Sequence, residues 1–329
     1  MLRILGLNGS PRKKSNTAFL LSCFLQEARK MGAEVETIDV CSRNILPCDE
    51  LIVCEKKGFC PIKDDMKDEI YSDLREADVI ILSTPIFFFN MTAQLKALVD
   101  RCQLYWARKY KLNLTDPRKS FRRGFVLSAG ASKGKNLFDG LELTAKYFFD
   151  ALDMKQCGGL YYPKIESIGA MEKHPTVMDD VKKATEEVIG PLLNRPTVLF
   201  VGRFGNSLVQ MATAFMELET KGRIRVLCSG MDPGKSLDPM MEKAMAEIGH
   251  DVAFRRIYSF SDLIRTQKPS QVITLGFTPE KLNLPNDIEA TQWDLDLELL
   301  ENDNGIYTLR KKIQQLVQKF CKIHYPSLL

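Results

Sequence analysis

The sequence lacks the features that mark secreted, membrane-spanning and nucleic-acid-binding proteins. Its longest apolar runs, at 79–82 and 85–89, fall far short of the ~18 residues that a membrane helix needs. The apolar start at 1–7 leads directly into a glycine loop, without the basic and small-residue regions of a signal peptide. Basic residues number 46 and acidic residues 42, and no long basic run stands out. We therefore expect a cytoplasmic protein that binds neither membrane nor nucleic acid.

Signs of a disulfide framework or a histidine metal site are also lacking. The nine cysteines are odd in number and follow no secretion signal, so reduced thiols are favoured. The three histidines are scattered, and no two have helical metal-ligand spacing. What is present is ample apolar material: 45% of 329 residues are hydrophobic, enough for two domains.

Apolar runs alternate with amphipathic segments along the chain, which predicts α/β architecture with parallel sheets and right-handed crossovers. Asn194-Arg195-Pro196 interrupts the alternation, so we predict domains at 1–194 and 195–329. The first domain has predicted strands at 2–7, 34–40, 78–84, 125–128 and 157–162 and helices at 17–31, 66–77, 92–105, 137–152 and 175–193. The second has predicted strands at 197–201, 223–228 and 271–275 and helices at 207–220, 238–248 and 304–322.

A polar loop, 9–17, lies between the first predicted strand and helix. Helix N-termini offer free N–H groups and a positive dipole end, which suit a phosphate. The loop lacks both the Walker ending Gly-Lys-Ser/Thr and the dinucleotide pattern Gly-x-Gly-x-x-Gly. A helix cap in a polar turn is the plain alternative. The residues that suit a terminal monophosphate are Ser10, Arg12, Ser15, Asn16 and Thr17.

Two further loops follow the third and fourth predicted strands, at the same edge of the sheet. The first contains three consecutive aromatic residues, which either pack in the core or against something flat. The second is small and offers backbone N–H groups. Ligands of doubly wound sheets bind at this edge. The candidate residues are Pro85, Ile86, Phe87, Phe88, Phe89 and Asn90, followed by Ser128, Ala129, Gly130 and Ala131.

Three segments carry a resemblance to the NADPH-dependent FMN reductases and the related iron–sulfur flavoproteins. They are 8–17 (NGSPRKKSNT), 62–66 (IKDDM), and 84–87 (TPIF) with 94–101 (QLKALVDR). The resemblance covers about residues 1–190 and implies a flavodoxin-like, doubly wound parallel sheet. It implies FMN, with its phosphate at the loop 9–17 and its ring at 85–90 and 128–131.

The resemblance also implies an oxidoreductase that takes electrons from NADPH or NADH and reduces a small molecule or a redox protein. A quinone, a metal ion or another protein could be the acceptor. Because the flavin carries the reactive atom, no catalytic side chain is named. We further expect a homo-oligomer, a dimer or tetramer. The alternative is a flavin-containing redox sensor or binding protein, since fold and cofactor do not fix turnover.

The cysteine loop departs from the iron–sulfur branch of this family. That branch separates its first three cysteines by two residues each. Here five residues lie between Cys48 and Cys54 and five more between Cys54 and Cys60, and Leu51 stands where the second cysteine would fall. Clusters normally need four thiolates, and Cys41 lies outside the pattern. A cluster, a zinc site or a loop that covers the flavin or a subunit contact all stay open here, and no metal ligand is assigned.

The second half resembles the low-molecular-weight tyrosine phosphatases, closest to their arsenate reductase branch, over about 196–322. In that family a cysteine opens the loop and an arginine follows six residues later. One alignment puts Gly202 and Leu208 at these positions, and the other puts Arg203 at the cysteine. Neither alignment restores a nucleophile, and the reductase branch's later cysteine is replaced by Gly276. Asp296 matches the family's acid, which has no nucleophile to assist here. We predict a pseudophosphatase domain that binds an anion or partner, or serves as a scaffold.

Overall fold

The computed structural model describes residues 2–302 and 304–328. It divides the chain into two compact units. Unit 1 extends to Leu193, apart from the segment Leu114–Ser120, and unit 2 contains that segment and the residues from Asn194 onward. The domain boundaries predicted from the sequence place residues 114–120 in the first domain. In the structure this segment makes its contacts within unit 2. No helix of the described residues combines the length and apolar composition required to cross a membrane.

Unit 1 is built on a five-stranded parallel sheet in the order β2-β1-β3-β4-β5. This is the order of flavodoxin-like sheets, in which the direction of winding reverses between β1 and β3. Ligands of such sheets bind outside the carboxyl ends of the strands at that switch point. The strands are β1 (Arg3–Asn8), β2 (Glu34–Asp39), β3 (Val79–Pro85), β4 (Arg123–Ala129) and β5 (Lys155–Tyr162).

The helices of unit 1 differ from the sequence-based prediction in two places. The predicted loop 41–65 contains a short helix, and the predicted helix 92–105 is divided at Cys102. There the N–H of Cys102 is shared between the carbonyls of Leu98 and Val99, which tightens the turn. The helices are α1 (Asn16–Lys30), α2 (Val53–Lys57), α3 (Tyr71–Glu76, after a π-helical turn at Met66–Ile70), α4 (Ala93–Arg101), α5 (Gln103–Tyr110), α6 (Asp139–Ala151) and α7 (Val177–Ile189).

Both faces of this sheet are covered, as the near-continuous apolar strands require. α1 and α7 bury one face, where Phe24 and Val181 pack in one cluster with Ile4 and Val79. Ile80, whose side chain points to the opposite face because strand residues alternate, is also fully buried. The carboxyl ends of the strands, rather than the faces of the sheet, are therefore left for a ligand.

Unit 2 has a four-stranded parallel sheet in the order β7-β6-β8-β9. The sequence-based prediction did not include β9 or α10. β9 is a polar edge strand in which Trp293 alone is buried, so it shows no hydrophobic pattern. One face packs against α8 and α11, and the other against α10. The elements are β6 (Thr197–Gly202), α8 (Leu208–Thr220), β7 (Arg225–Gly230), α9 (Pro239–Ala246), α10 (Phe260–Thr266), β8 (Gln271–Leu275), β9 (Glu289–Trp293) and α11 (Gly305–His324).

The segment 114–120 is held in unit 2 by backbone pairing beside buried charges. The N–H of Thr115 donates to Gly249 O, and the N–H of Asp251 donates to Thr115 O, each at 2.9 Å. Nearby, Arg255 donates to Glu217 at 2.5 Å, and both side chains are buried. Burial raises the pKa of Glu217, while the Arg255 guanidinium opposes that rise. This segment is thus an integral part of unit 2, although the sequence on both sides of it belongs to unit 1.

Candidate functional site

A groove of about 240 Å³ lies at the carboxyl ends of the unit 1 strands. It brings together the loop after β1, the loop after β3, the end of β4 and the loop after β5. Eleven of the fifteen candidate residues line it. The lining residues are Ser10, Pro11, Arg12, Ser15, Asn16, Thr17, Pro85, Ile86, Phe87, Ala129, Gly130, Ala131, Ile165, Glu166 and Ile168.

The loop after β1 is fixed at its first residue, Gly9. Its N–H donates to Ser83 O at 2.8 Å, and its carbonyl accepts from Thr92 Oγ1 at 2.6 Å. A Cβ at this position would lie 2.6 Å from Leu95 Cδ2, so only glycine allows the loop to approach α4 this closely. The loop therefore leaves β1 in one defined direction, toward the groove.

The remainder of this loop supplies hydroxyl groups, a cation and a helix N-terminus. The buried Ser10 accepts from the N–H of Arg12 at 3.3 Å, which leaves the Arg12 side chain exposed at the groove. Ser15 caps α1 by accepting from Ala18 N at 3.0 Å. The first turn of α1 also presents N–H groups that make no intrahelical bond. Such a combination fits a phosphate dianion.

Asn16 lines the groove, but both ends of its side chain amide hold another loop. Its Nδ2 donates to Ser167 O at 2.9 Å, and its Oδ1 accepts from Met171 N at 3.1 Å. The loop held in this way follows β5 and brings Ile165, Glu166 and Ile168 to the groove. Sequence analysis missed these three residues. Their position after β5, at the same sheet edge, is the signal that could have identified them.

The far end of the groove is apolar and has little side-chain bulk. The turn after β3 contributes Pro85, Ile86 and Phe87, and the end of β4 contributes 129–131. The N–H of Ile86 donates to Ala129 O at 3.2 Å, which ties the two walls together. A flat apolar group fits this end, whereas the opposite end fits an anion.

Four candidate residues do not line the groove. Phe88 and Phe89 form the centre of a two-residue turn closed by mutual backbone hydrogen bonds between Phe87 and Asn90, at 2.8 and 3.0 Å. The Asn90 side chain donates to Thr144 Oγ1 on α6 at 3.0 Å and so anchors the turn. The remaining candidate is Ser128, which is buried within β4 and donates to Thr84 O at 2.7 Å.

The Phe87–Asn90 turn is strained. Phe88 and Phe89 have φ values of +49° and +62°, a combination that such turns normally give to Asn-Gly. Phe88 is fully exposed, so no burial offsets its strain. Replacing Phe88 by glycine is expected to raise the free energy of unfolding by about 1 kcal/mol. The FMN affinity should stay within twofold, since Phe88 lies outside the groove.

Thermal unfolding and an FMN titration measure both expectations for Phe88→Gly. Phe87→Ala is the matched control: it lies on the same turn and lines the groove, so it should weaken FMN binding without gaining stability. A fall in the melting temperature of Phe88→Gly would contradict the claim that Phe88 is strained. A large loss of FMN affinity would contradict the claim that Phe88 lies outside the groove.

A buried ion pair outside the groove lining joins segments 62–66 and 94–101, which both carry the resemblance. The Arg101 side chain is fully buried and donates to both carboxylate oxygens of Asp64, at 2.5 and 3.2 Å. It also donates to Leu46 O at 2.9 Å and Cys60 Sγ at 3.5 Å. Burial alone would lower the pKa of Arg101. The Asp64 hydrogen bonds and the electrostatic interactions with neighbouring side chains together outweigh burial and raise this pKa. Arg101 therefore braces the cysteine loop.

The cysteines of this loop lie in different surroundings. Cys48 is exposed, whereas Cys54 on α2 is half-buried, and burial raises its pKa. Cys41 donates to Gly9 O at 3.6 Å, and its pKa is likewise raised by burial. Within the described residues, no group of three or more Cys, His, Asp or Glu side chains could hold a metal ion.

The loop between β6 and α8 in unit 2 contains no thiol. Arg203 is exposed, with its guanidinium 5.2 Å from the Phe204 ring centre. Gln210 fixes the loop by donating to Gly205 O at 3.0 Å. Cys228 is buried on β7. The arrangement is a loop before a helix N-terminus with an adjacent cation and without a nucleophile.

Comparison with known proteins shows that residues 2–163 match the model of the family "NADPH-dependent FMN reductase". An iron–sulfur flavoprotein of Methanosarcina thermophila is 36% identical over 40% of this chain and 65% of its own length. One from Methanocaldococcus jannaschii is 40% identical over 30% of this chain and 51% of its own length. An FMN-dependent NADH-azoreductase from Bacillus anthracis covers 59% of this chain at 17% identity, with a TM-score of 0.42.

The chain thus spans between half and two thirds of the length of these curated relatives. The matched residues end just after β5, so they include the sheet of unit 1 and the loops after β1, β3 and β4 that line the groove. Residues 2–163 of this chain are therefore similar in sequence to the NADPH-dependent FMN reductase family.

Proposed function

We propose that this protein is an NAD(P)H-dependent FMN oxidoreductase whose FMN lies in the groove of unit 1. The observation that carries the proposal is the polarity of the groove. Hydroxyl groups, a helix N-terminus and Arg12 lie at one end, and apolar walls at 85–87 and 129–131 lie at the other. FMN has the same division, with a phosphate at one end and a flat ring at the other. The family match over residues 2–163 supports the same conclusion.

Each part of the groove has a distinct role in this proposal. Ser10, Ser15 and Thr17 donate to the phosphate together with the first N–H groups of α1, and Arg12 balances its charge. The walls at 85–87 and 129–131 orient the ring and exclude water from one of its faces. Asn16 positions the loop after β5, which covers the groove from the side. FMN, when bound, supplies the hydride-transfer chemistry, so the chain supplies position and electrostatics.

The proposal extends to the partners of the reaction. NADPH or NADH donates electrons, and the acceptor is a small molecule, such as a quinone or a metal ion, or a redox protein. The nine cysteines are all free thiols, which suits the reducing cytoplasm. A homo-oligomer, dimer or tetramer, is part of the same proposal.

Titration of the flavin-free protein with FMN, followed by steady-state NADPH oxidation with a benzoquinone, tests this function. We expect saturable quenching of flavin fluorescence at one FMN per chain. We also expect NADPH oxidation that requires both FMN and the quinone. FMN binding without turnover for any two-electron acceptor would contradict the enzyme and favour the sensor.

A second candidate function, anion or partner binding, concerns unit 2. The strand order β7-β6-β8-β9 and the glycine loop before α8 support a relationship to the low-molecular-weight phosphatases and arsenate reductases. Since no thiol stands in that loop, we propose a pseudophosphatase that binds an oxyanion through Arg203 and the α8 N-terminus. A thermal shift with phosphate or arsenate that persists without flavin, and disappears in Arg203→Ala, supports this role.

A further inference from the structure

Several curated proteins that are similar to unit 1 are named iron–sulfur flavoproteins. That name suggests a cluster beside the flavin, and the cysteine loop is where this chain would hold it. The residues of the cysteine loop show whether a cluster fits there. A cluster normally requires four thiolates that are free to converge on one point.

The first mismatch is in the ligand set. Cys48 and Cys54 are the two thiols that flank the position of the missing ligand, and Leu51 stands midway between them. The Leu51 side chain is 54% exposed, so it fills no core position that would otherwise explain a leucine here. A branched apolar side chain offers no lone pair to iron. It also brings apolar bulk to the position that a ligand would occupy.

The second mismatch is in the remaining thiols. Cys60 is engaged by the Arg101 guanidinium, which is itself fixed by two hydrogen bonds to Asp64. Cys41 donates to the backbone at Gly9 and thus faces the phosphate loop. Among the described side chains no set of three potential ligands converges on one point. The loop is held by the buried ion pair between Arg101 and Asp64.

We propose that this chain binds no iron–sulfur cluster, and that Leu51 is the residue that prevents it. With a fourth thiolate at this position, iron would draw Cys48, Cys54 and Cys60 together, which the three thiols alone do not do. The loop keeps its shape through Arg101 and Asp64, so loss of the cluster does not unfold it. The name of these relatives therefore does not apply to this protein, although unit 1 is similar to them in sequence.

This inference also limits the chemical class of the electron acceptor, and this second part rests on the proposed function. Without a cluster to carry electrons away from the flavin, we expect the acceptor to take its electrons at the groove itself. The fitting class is a small, diffusible two-electron acceptor such as a quinone. The overall reaction is then NAD(P)H + H⁺ + quinone → NAD(P)⁺ + hydroquinone, in which two electrons and two protons are transferred and no iron is needed.

Anaerobic reconstitution with iron and sulfide tests the proposal in the full-length protein. Three proteins are compared: the wild type, Leu51→Cys, and Leu51→Ser, a control of similar size and polarity without a thiolate. Iron and acid-labile sulfide are measured per chain after desalting, and the dithionite-reduced samples are examined by EPR. We expect no iron above the blank in the wild type and in Leu51→Ser. We expect about four iron atoms and a cluster EPR signal in Leu51→Cys.

Stoichiometric iron and sulfide in the wild type would overturn the proposal. Failure of Leu51→Cys to take up iron, while it retains FMN, would overturn the role of Leu51. If that variant loses FMN and therefore its fold, the wild-type measurement still decides whether a cluster binds. Flavin reduction by NADPH is recorded in the same samples. A wild type without iron whose flavin NADPH does not reduce would refute the proposed function but leave this inference intact.

Discussion

Arg101→Met is expected to lower the free energy of unfolding of unit 1 by about 3–5 kcal/mol. The substitution leaves the Asp64 carboxylate buried without its guanidinium partner, and it removes the donors to Leu46 O and Cys60 Sγ. A buried charge without a partner is far costlier than the loss of a surface ion pair, which is worth about 0–1 kcal/mol. Urea unfolding followed by circular dichroism measures the difference from the wild type.

Two further variants separate the ion pair from general damage to the core. The double variant Asp64→Leu/Arg101→Met should recover much of the lost stability, because it removes the uncompensated charge. Lys96→Met, in the exposed pair with Asp100 on the same helix, should change stability by less than about 1 kcal/mol. If Arg101→Met alone costs no more than Lys96→Met, then Arg101 does not brace the loop. Proteolysis within 43–63 should also accelerate in Arg101→Met.

The double variant Ser10→Ala/Arg12→Ala is expected to weaken FMN binding by about 100-fold. A hydrogen bond to a charged group contributes about 1.5–3 kcal/mol, and each factor of ten in Kd corresponds to about 1.4 kcal/mol. Ser10 also accepts from the N–H of Arg12, so its loss loosens the loop in addition. Fluorescence titration of the flavin-free protein gives the two dissociation constants.

Riboflavin, which lacks the phosphate, is the matched ligand for this experiment. Its affinity should differ by less than threefold between the wild type and Ser10→Ala/Arg12→Ala. Lys13→Ala is the matched protein control, since Lys13 is an adjacent exposed cation that does not line the groove. Equal losses for FMN and riboflavin would place the phosphate somewhere other than the loop after β1.

The sequence was most informative where one physical pattern dominates. Buried parallel strands are continuous apolar runs, so β1 and β3 were predicted to within one residue at each end. β9 is polar and pairs along one edge only, so hydrophobic periodicity carries no signal for it. The assignment of 114–120 to unit 2 was equally invisible, because it depends on pairing with residues more than a hundred positions away.

The candidate site shows the same division. A polar loop before a helix predicts a phosphate site from local sequence, and Ser10, Arg12 and Ser15 do line the groove. Local sequence could not show that the amide of Asn16 holds the loop after β5, since its partners lie about 150 residues away. Nor could it show that the turn after β3 directs Phe88 away from the groove, because the φ angles of that turn depend on contacts with α6.

An anaerobic absorbance spectrum of the FMN-loaded protein, before and after addition of NADPH, tests the central claim most directly. The account predicts visible flavin bands that bleach rapidly when NADPH is added and return when a quinone is added. Bands that remain unchanged would contradict the reductase and favour a sensor. A protein that retains no FMN after reconstitution would contradict the assignment of the groove itself.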